Sequence, residues 1–240
     1  MKVAVLGRNG FLGKALWDKL SKKDEVYSYL HPDLDVVFFF NSPSSQILFD
    51  YAPDYCYNET VQSFGNVLEF CRSNNIKLIY PSTASYNNLY ANCKRTLEFL
   101  QDNCDYKNIL CCRISAGYGP GEGHKTEYAS VVYQFCKLMK EGQSPVIWGD
   151  GTQTRDFIYV EDIVEGILKN IGKRGIVNIS TGVNTSFNQL IKIINTQLGK
   201  NIEPIYIEKP EEYLDETTCE SDLISTSPLW YGVKRVCESI

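Results

Sequence analysis

Short, mostly apolar, strand-like runs alternate with segments of helical apolar spacing from the first residues onward. The runs "KVAVL" (2–6), "EVYSYL" (25–30), "DVVFFF" (35–40), "IKLIY" (76–80) and "NILCCRI" (108–114) predict strands. In "VVFFF" no polar residue interrupts the apolar ones, so this strand is expected to be buried on both faces. Between the runs, 11–21, 53–73 and 88–103 have the spacing and length of helices. Strand and helix in alternation predict an α/β fold, a doubly wound parallel sheet covered on both faces. The second half is more mixed: helices are predicted at 127–141 and 161–170, and one opens at Ser186 with Gln189 placed to complete a capping box. A body over 1–115, rejoined by segments of about 150–180, and a small C-terminal lobe over 116–240 are therefore expected.

The 240 residues, 43% of them hydrophobic, suffice for such a body and lobe. A net charge of −5, with basic stretches as short as "KLSKK" (19–23), counts against a nucleic-acid surface. No apolar stretch approaches the ~20 residues of a membrane span, and "MKVAVLG" turns glycine-rich too soon for a signal peptide. A cytoplasmic protein with no membrane partner is expected. Nine cysteines without a C-x-x-C, and only His31 and His124, spell out no metal site, so reduced and mostly buried thiols are expected.

Directly after the first strand comes "GRNGFLG", with Gly7, Gly10 and Gly13, and the predicted helix begins inside it. Glycines there serve either helix packing or the approach of backbone N–H groups to a pyrophosphate. The placement between strand and helix favours dinucleotide binding, with Arg8, Asn9, Phe11 and Leu12 in the same turn. The second strand ends at Tyr29, Leu30 and His31 without the acidic residue that would hold an NAD ribose, and Asp33 comes late. Arg8 and His31 suit a 2′-phosphate, which tilts the expectation from NAD toward NADP.

The fourth strand leads into "PSTASYNNLYANCK". Ser82 stands at its carboxyl edge, where ligands of doubly wound folds sit, Tyr90 opens the next helix, and Lys94 lies one turn on. A nearby ammonium and a cofactor's positive ring would lower the phenol's pKa and make it a base. The same spacing recurs at Tyr133 and Lys137, so spacing alone proves nothing, but that pair follows no strand and reads as a packed helix face.

From "GRNGFLG" through "PSTASY" and "YANCK" to "YGPGEGHK" and "GDGTQTRDFIYVEDIVEGIL", the sequence resembles the extended short-chain dehydrogenase/reductases, the nucleotide-sugar epimerase/dehydratase group. "YGPGEGHKTEYASVV" looks most like the heptose-nucleotide 6-epimerases. The resemblance implies a Rossmann-type NAD(P)-binding domain and a substrate lobe. It implies a catalytic triad of Ser82, Tyr90 and Lys94, with Lys125 as a second acid/base. Arg155 would touch the nucleotide's phosphates, Thr83 and Ala116 would face substrate, and Asn41, Ser42 and Pro81 would join the cofactor site. It also implies a homodimer through the helices at 53–73 and 88–103, seamed by Val61, Val67, Leu68, Leu97 and Leu100. The sequence departs from the family in an interval missing after the second strand, a short loop from Ser82 to Tyr90, Ala116 and Thr60 where Asn is common, and Ala84 where the dehydratases carry glutamate. The expected activity is epimerisation of a nucleotide-activated sugar through a keto-sugar. The alternatives are an NADPH-dependent reductase of keto-sugar nucleotides and a cofactor-binding protein without catalysis.

Overall fold

The computed structural model describes every residue except 85–87, 212, 214 and 218. In chain order the elements are β1 (Lys2–Leu6), α1 (Phe11–Leu20), β2 (Glu25–Tyr27), β3 (Val36–Phe39), α2 (Gln46–Tyr51), α3 (Pro53–Tyr57), α4 (Ser63–Asn74), β4 (Lys77–Thr83), α5 (Leu89–Asn103) and β5 (Ile109–Ile114). There follow β6 (Ala116–Tyr118), α6 (Val131–Lys140), β7 (Val146–Trp148), β8 (Thr154–Tyr159), α7 (Val160–Lys169), β9 (Gly175–Ile179), β10 (Asn184–Ser186), α8 (Phe187–Leu198), β11 (Ile205–Ile207), β12 (Glu216–Thr217) and α9 (Leu229–Ser239). The chain divides into two compact units: residues 1–114 with 164–179, and residues 115–163 with 180–240.

The first unit is built on a six-stranded sheet in the order β2-β1-β3-β4-β5-β9, parallel throughout. The chain winds outward from β1 in one direction to β2 and in the other from β3, so the crevice of this Rossmann-type sheet opens between the carboxyl ends of β1 and β3. Among the described residues no strand pairs outside β2, in keeping with the missing interval, and β2 itself ends at Tyr27 rather than at 30. β3 is buried along its whole length, as its unbroken apolar run requires.

β4 runs to Thr83, beyond the expected end at 80, because Pro81, Ser82 and Thr83 pair with Cys112, Arg113 and Ile114 of β5. The β3 ladder stops at Ile79, so Pro81 lies past the end of that neighbour and its missing N–H costs no bond there. The helix expected over 53–73 is interrupted by a π turn at Asn58–Gln62, where the Thr60 hydroxyl is buried with no hydrogen-bond partner among the described residues. α5 starts where Asn88 caps it, its side-chain oxygen accepting from Ala91 N–H at 2.7 Å.

One apolar layer covers the sheet between α4, α5, β3 and β4, with Phe39, Phe64, Leu78, Tyr80, Cys71 and Leu97 at its centre. It also takes up Val61, Val67, Leu68 and Leu97, and Leu100 packs against it. Four of the five residues expected to seam two copies together are therefore buried in the unit's own core, and Leu100 lies half-buried at its edge. An apolar helix face satisfies either role, and the sheet beneath it decides.

In the second unit β8 pairs with β6, β10 and β12, and β7 pairs with β11 in a separate parallel ribbon. Helices α6, α8 and α9 bury Val132, Phe135, Met139, Leu190, Ile194, Val233 and Val236. The capping box expected at Ser186 and Gln189 is formed. The helix expected from 127 begins instead at Val131, where Ser130 caps it; a 3₁₀ turn occupies Glu122–Tyr128.

Candidate active site

The turn after β1 is closed by a bond from Gly10 N–H to Gly7 O at 2.9 Å. Gly7 has φ +85°, and a Cβ there would lie 2.4 Å from the Phe40 carbonyl oxygen. At Gly13 a Cβ would lie 2.1 Å from the Gly7 carbonyl, so only glycine lets α1 come this close to the turn. The N-cap of α1 is Gly10, which has no side chain to cap the helix, and the start of a helix favours an anionic ligand. Beside the turn is a cavity of about 380 Å³ lined by Leu6, Gly7, Ser28, Phe39, Asn41, Ser63, Asn66 and Val67. The glycine at the helix start, the close-packed turn and this cavity fit a dinucleotide. Asn41 also donates to Glu59 at 3.3 Å.

In the turn, Arg8 and Asn9 are exposed and Phe11 is buried, while Leu12 is half-buried on α1. The Arg8 guanidinium lies over the Trp17 ring at 5.0 Å, and the His31 ring packs edge-on to Tyr27 at 4.5 Å, its Nε2 buried with no partner among the described residues. Neither lines the cavity; Ser28 does. The apolar pattern runs on to Leu30 and hides Ser28 inside a strand, whereas β2 ends at Tyr27 and Ser28 turns to the cavity wall.

The tyrosine and lysine come together as their spacing suggested, but the serine does not join them. Successive strand residues point to opposite faces, so Ser82 shares the side of Leu78 and Tyr80, beneath α4 and α5. There it is buried, and its Oγ donates to Glu98 Oε1 at 2.5 Å. The hydroxyl that bonds the Tyr90 phenol is that of Thr83. Tyr90 is half-buried at the start of α5, its ring edge-on to Phe49 at 5.3 Å. Lys94, one turn on, is 2% exposed; its Nζ lies 6.0 Å from the centre of the Tyr90 ring and donates to Ser42 Oγ. Pro81 is half-buried at the same strand end, and Ala84 follows.

Burial pushes the Tyr90 phenol up to about 12, against a smaller pull downward from the Thr83 hydrogen bond. The expected lowering by Lys94 is therefore not found in the protein by itself. Burial brings the Lys94 ammonium down to about 8. Both groups are driven toward neutrality by the same loss of water. Below them, burial would raise the Glu98 carboxyl, but hydrogen bonds from Arg113 and Ser82 and the charges of Arg113 and Arg95 outweigh it and hold Glu98 below the usual carboxylate value.

In the second unit, Lys125 pairs with Glu122 at 3.3 Å. Glu122 is wholly buried and also accepts from Gly119 N–H, Ser130 N–H and Ser130 Oγ. A solvated loop lysine is thus not what the loop provides. His124 is exposed, with Nδ1 at 2.9 Å from Gly121 O. Arg155 lies across Phe187 and Tyr213, 5.6 and 5.2 Å from their ring centres. Its neighbour Asp156 spends its carboxylate on Ser115 Oγ, Thr181 N–H and Oγ, and Gly182 N–H. Near Arg155, a cavity of about 650 Å³ is lined by residues including Thr152, Gln153, Thr154, Lys209 and Asp215. Ala116 opens β6, half-buried, and Tyr133 and Lys137 lie on α6.

Comparison with known proteins bears on this arrangement. Residues 30–180 match the NAD dependent epimerase/dehydratase family. A putative UDP-glucose 4-epimerase of Methanocaldococcus jannaschii is 42% identical over 134 residues, 52% of this chain and 43% of the relative. An ADP-L-glycero-D-manno-heptose-6-epimerase of Nitratidesulfovibrio vulgaris is 35% identical over 107 residues, 40% of this chain and 32% of the relative. The matched stretch thus spans less than half of either curated relative. In fold, the chain is similar to a UDP-N-acetylglucosamine 4-epimerase from Methanobrevibacter ruminantium, with a TM-score of 0.90 and 22% identity over 99% of this chain and 97% of that one. With more than half its length matched, and a glycine turn, a tyrosine and a lysine at the carboxyl edge of a doubly wound sheet, the chain belongs to the NAD dependent epimerase/dehydratase family.

Proposed function

We propose that the protein is an NAD(P)-dependent epimerase of a nucleotide-activated sugar, acting by transient oxidation to a keto-sugar and re-reduction. The observation that carries this is the Tyr90 phenol hydrogen-bonded to Thr83, with Lys94 one turn on, in the same unit as the glycine turn and its cavity. When bound, the nicotinamide supplies the hydride acceptor and donor. The N–H groups at the start of α1 hold the pyrophosphate. Tyr90 exchanges a proton with the sugar hydroxyl, and Thr83 shares that hydrogen bond and favours the ionised phenol. Lys94 adds charge beside Tyr90 when protonated. Thr83 takes the role first expected of Ser82.

An epimerase returns hydride to the opposite face of its ketone, so the keto-sugar must turn over and its oxygen take a proton either from Tyr90 again or from a second donor. Lys125, held by the buried Glu122, is assigned the part of second donor, and Arg155 the nucleotide's phosphates. Ala84 offers no acid for elimination, so no dehydrated sugar is formed. Among the described residues none that lines the cavity beside the turn is acidic, which favours NADP binding at least as tight as NAD.

The test is to incubate the protein with a panel of nucleoside-diphosphate hexoses and heptoses, with NAD or NADP, and to resolve epimers by chromatography. Epimer formation that falls at least tenfold in Lys125→Met is expected. Interconversion by Lys125→Met at the parent rate removes Lys125 from the mechanism; a parent that only reduces keto-sugar nucleotides replaces epimerase by reductase.

A further inference from the structure

A buried carboxylate beneath the proposed reacting groups has no part in the chemistry described so far. Glu98 is 6% exposed on α5, two turns beyond Tyr90 and one beyond Lys94. Its Oε1 accepts from Ser82 Oγ at 2.5 Å and from Arg113 Nε at 3.0 Å. Its Oε2 accepts from Arg113 Nε at 3.2 Å and Nη2 at 2.5 Å. One carboxylate thus joins β4, α5 and β5. Burying an ion pair is a poor way to gain stability, because apolar side chains of the same volume do as well or better. What the pair adds is direction: a two-pronged guanidinium bond and a short hydroxyl bond fix positions that apolar packing leaves free to slide.

We infer that Ser82, Glu98 and Arg113 form a positioning unit that sets the register between the end of β4 and α5, and through it the hydrogen bond between Thr83 and Tyr90. Ser82 immediately precedes Thr83, so the side chain of one fixes the strand rotation that aims the other. α5 is tied to β4 twice, at Tyr90 by Thr83 and two turns below at Glu98 by Ser82. The lower tie is buried and reinforced from β5; the upper one consists of the reacting groups themselves. The inference rests on the proposed role of Tyr90. Ser82, Glu98 and Arg113 act through Thr83 rather than on substrate.

The test is a double-mutant cycle of Ser82→Ala and Thr83→Val, with Tyr90→Phe as reference. One readout needs no turnover: the resonance of the labelled Tyr90 ζ-carbon, identified by its loss in Tyr90→Phe, reports the hydrogen bond at the phenol at neutral pH. Ser82→Ala is expected to move that resonance in the same sense as Thr83→Val, and the double variant no further than Thr83→Val. In turnover, Ser82→Ala is expected to lower kcat about tenfold, with KM and cofactor affinity within about twofold of the parent. The double variant should be no slower than Thr83→Val. Arg113→Lys, which keeps the charge but loses the two-pronged grip, should reproduce the effect of Ser82→Ala. An unmoved Tyr90 resonance in both Ser82→Ala and Arg113→Lys overturns the inference. So does a further kcat loss when Ser82→Ala is added to Thr83→Val, which would put the Ser82 hydroxyl on the reacting atoms. A parent that passes hydride to or from no sugar nucleotide defeats the functional reading alone, and the resonance still decides the positioning unit.

Discussion

At the scale of single residues, the site is governed by the loss of water around Tyr90 and Lys94. With Lys94 drawn down to about 8 by burial, folding favours its neutral amine. Below that pH the whole penalty of burying the ammonium is present. As pH rises from about 8 toward the ordinary lysine value of about 10.4, the unfolded chain holds more protons at this position than the folded one, and stability rises. In cofactor-free protein, Lys94→Met is expected to raise the unfolding free energy at pH 7 by about 3 kcal/mol, taking 1.36 kcal/mol per pKa unit. That gain should shrink between pH 8 and 10. Denaturant titrations of parent and variant at pH 7 and pH 10 check this; a gap unchanged by pH contradicts it. For activity, Tyr90→Phe is expected to abolish turnover, by at least about a hundredfold, while calorimetry shows cofactor affinity nearly intact because the glycine turn is untouched. Tyr90 and Lys94 could be read from the chain because helical spacing is local. Which of two adjacent hydroxyls meets the phenol could not, because it depends on β4 continuing past Pro81 and on the alternation of its side chains there.

At the scale of elements, the clearest case is the contact between α1 and the turn before it. A Cβ on Gly13 would meet backbone, 2.1 Å from the Gly7 oxygen and 2.7 Å from its carbon, with no flexible side chain to yield. Gly13→Ala must push α1 away from the turn and move the N–H groups assigned to the pyrophosphate. Cofactor affinity is therefore expected to fall at least tenfold, with a stability loss of about 1–3 kcal/mol of the kind overpacking produces. Gly172, around which a Cβ would meet nothing within 4 Å, is the control: Gly172→Ala should leave cofactor binding unchanged. Equal affinity in Gly13→Ala and the parent would refute the assignment of this turn. The turn was legible because it is spelled in consecutive residues between a strand and a helix. Strands β6, β7, β10, β11 and β12 were not, since each has at most three residues and owes its existence to a partner distant in sequence.

At the scale of the whole molecule, self-association depends on which apolar side chains stay outside the core. Of the seam expected at Val61, Val67, Leu68, Leu97 and Leu100, all but the half-buried Leu100 are buried in the first unit's core, so a homodimer would draw on other exposed side chains. Ile47 and Tyr51 on α2, Tyr55 on α3 and Phe99 on α5 are each more than half exposed, and α2 packs against both α3 and α5. Exposed apolar side chains on adjoining helices offer surface to a partner, and large aromatic ones carry most of the energy when they are covered. We propose that this face joins two copies of the chain. Sedimentation at micromolar concentration is expected to give the mass of a dimer. Phe99→Glu should weaken association by about thirtyfold, as loss of a central anchor worth roughly 2 kcal/mol does. Phe99 points away from the core, so the variant should unfold at the parent's denaturant midpoint once the concentration is low enough for monomers. Leu97→Ala makes the opposite case: Leu97 is wholly buried, so its loss should cost about 2–5 kcal/mol of monomer stability. A parent that sediments as a monomer, or a Phe99→Glu variant that dimerises as tightly as the parent, moves the interface elsewhere.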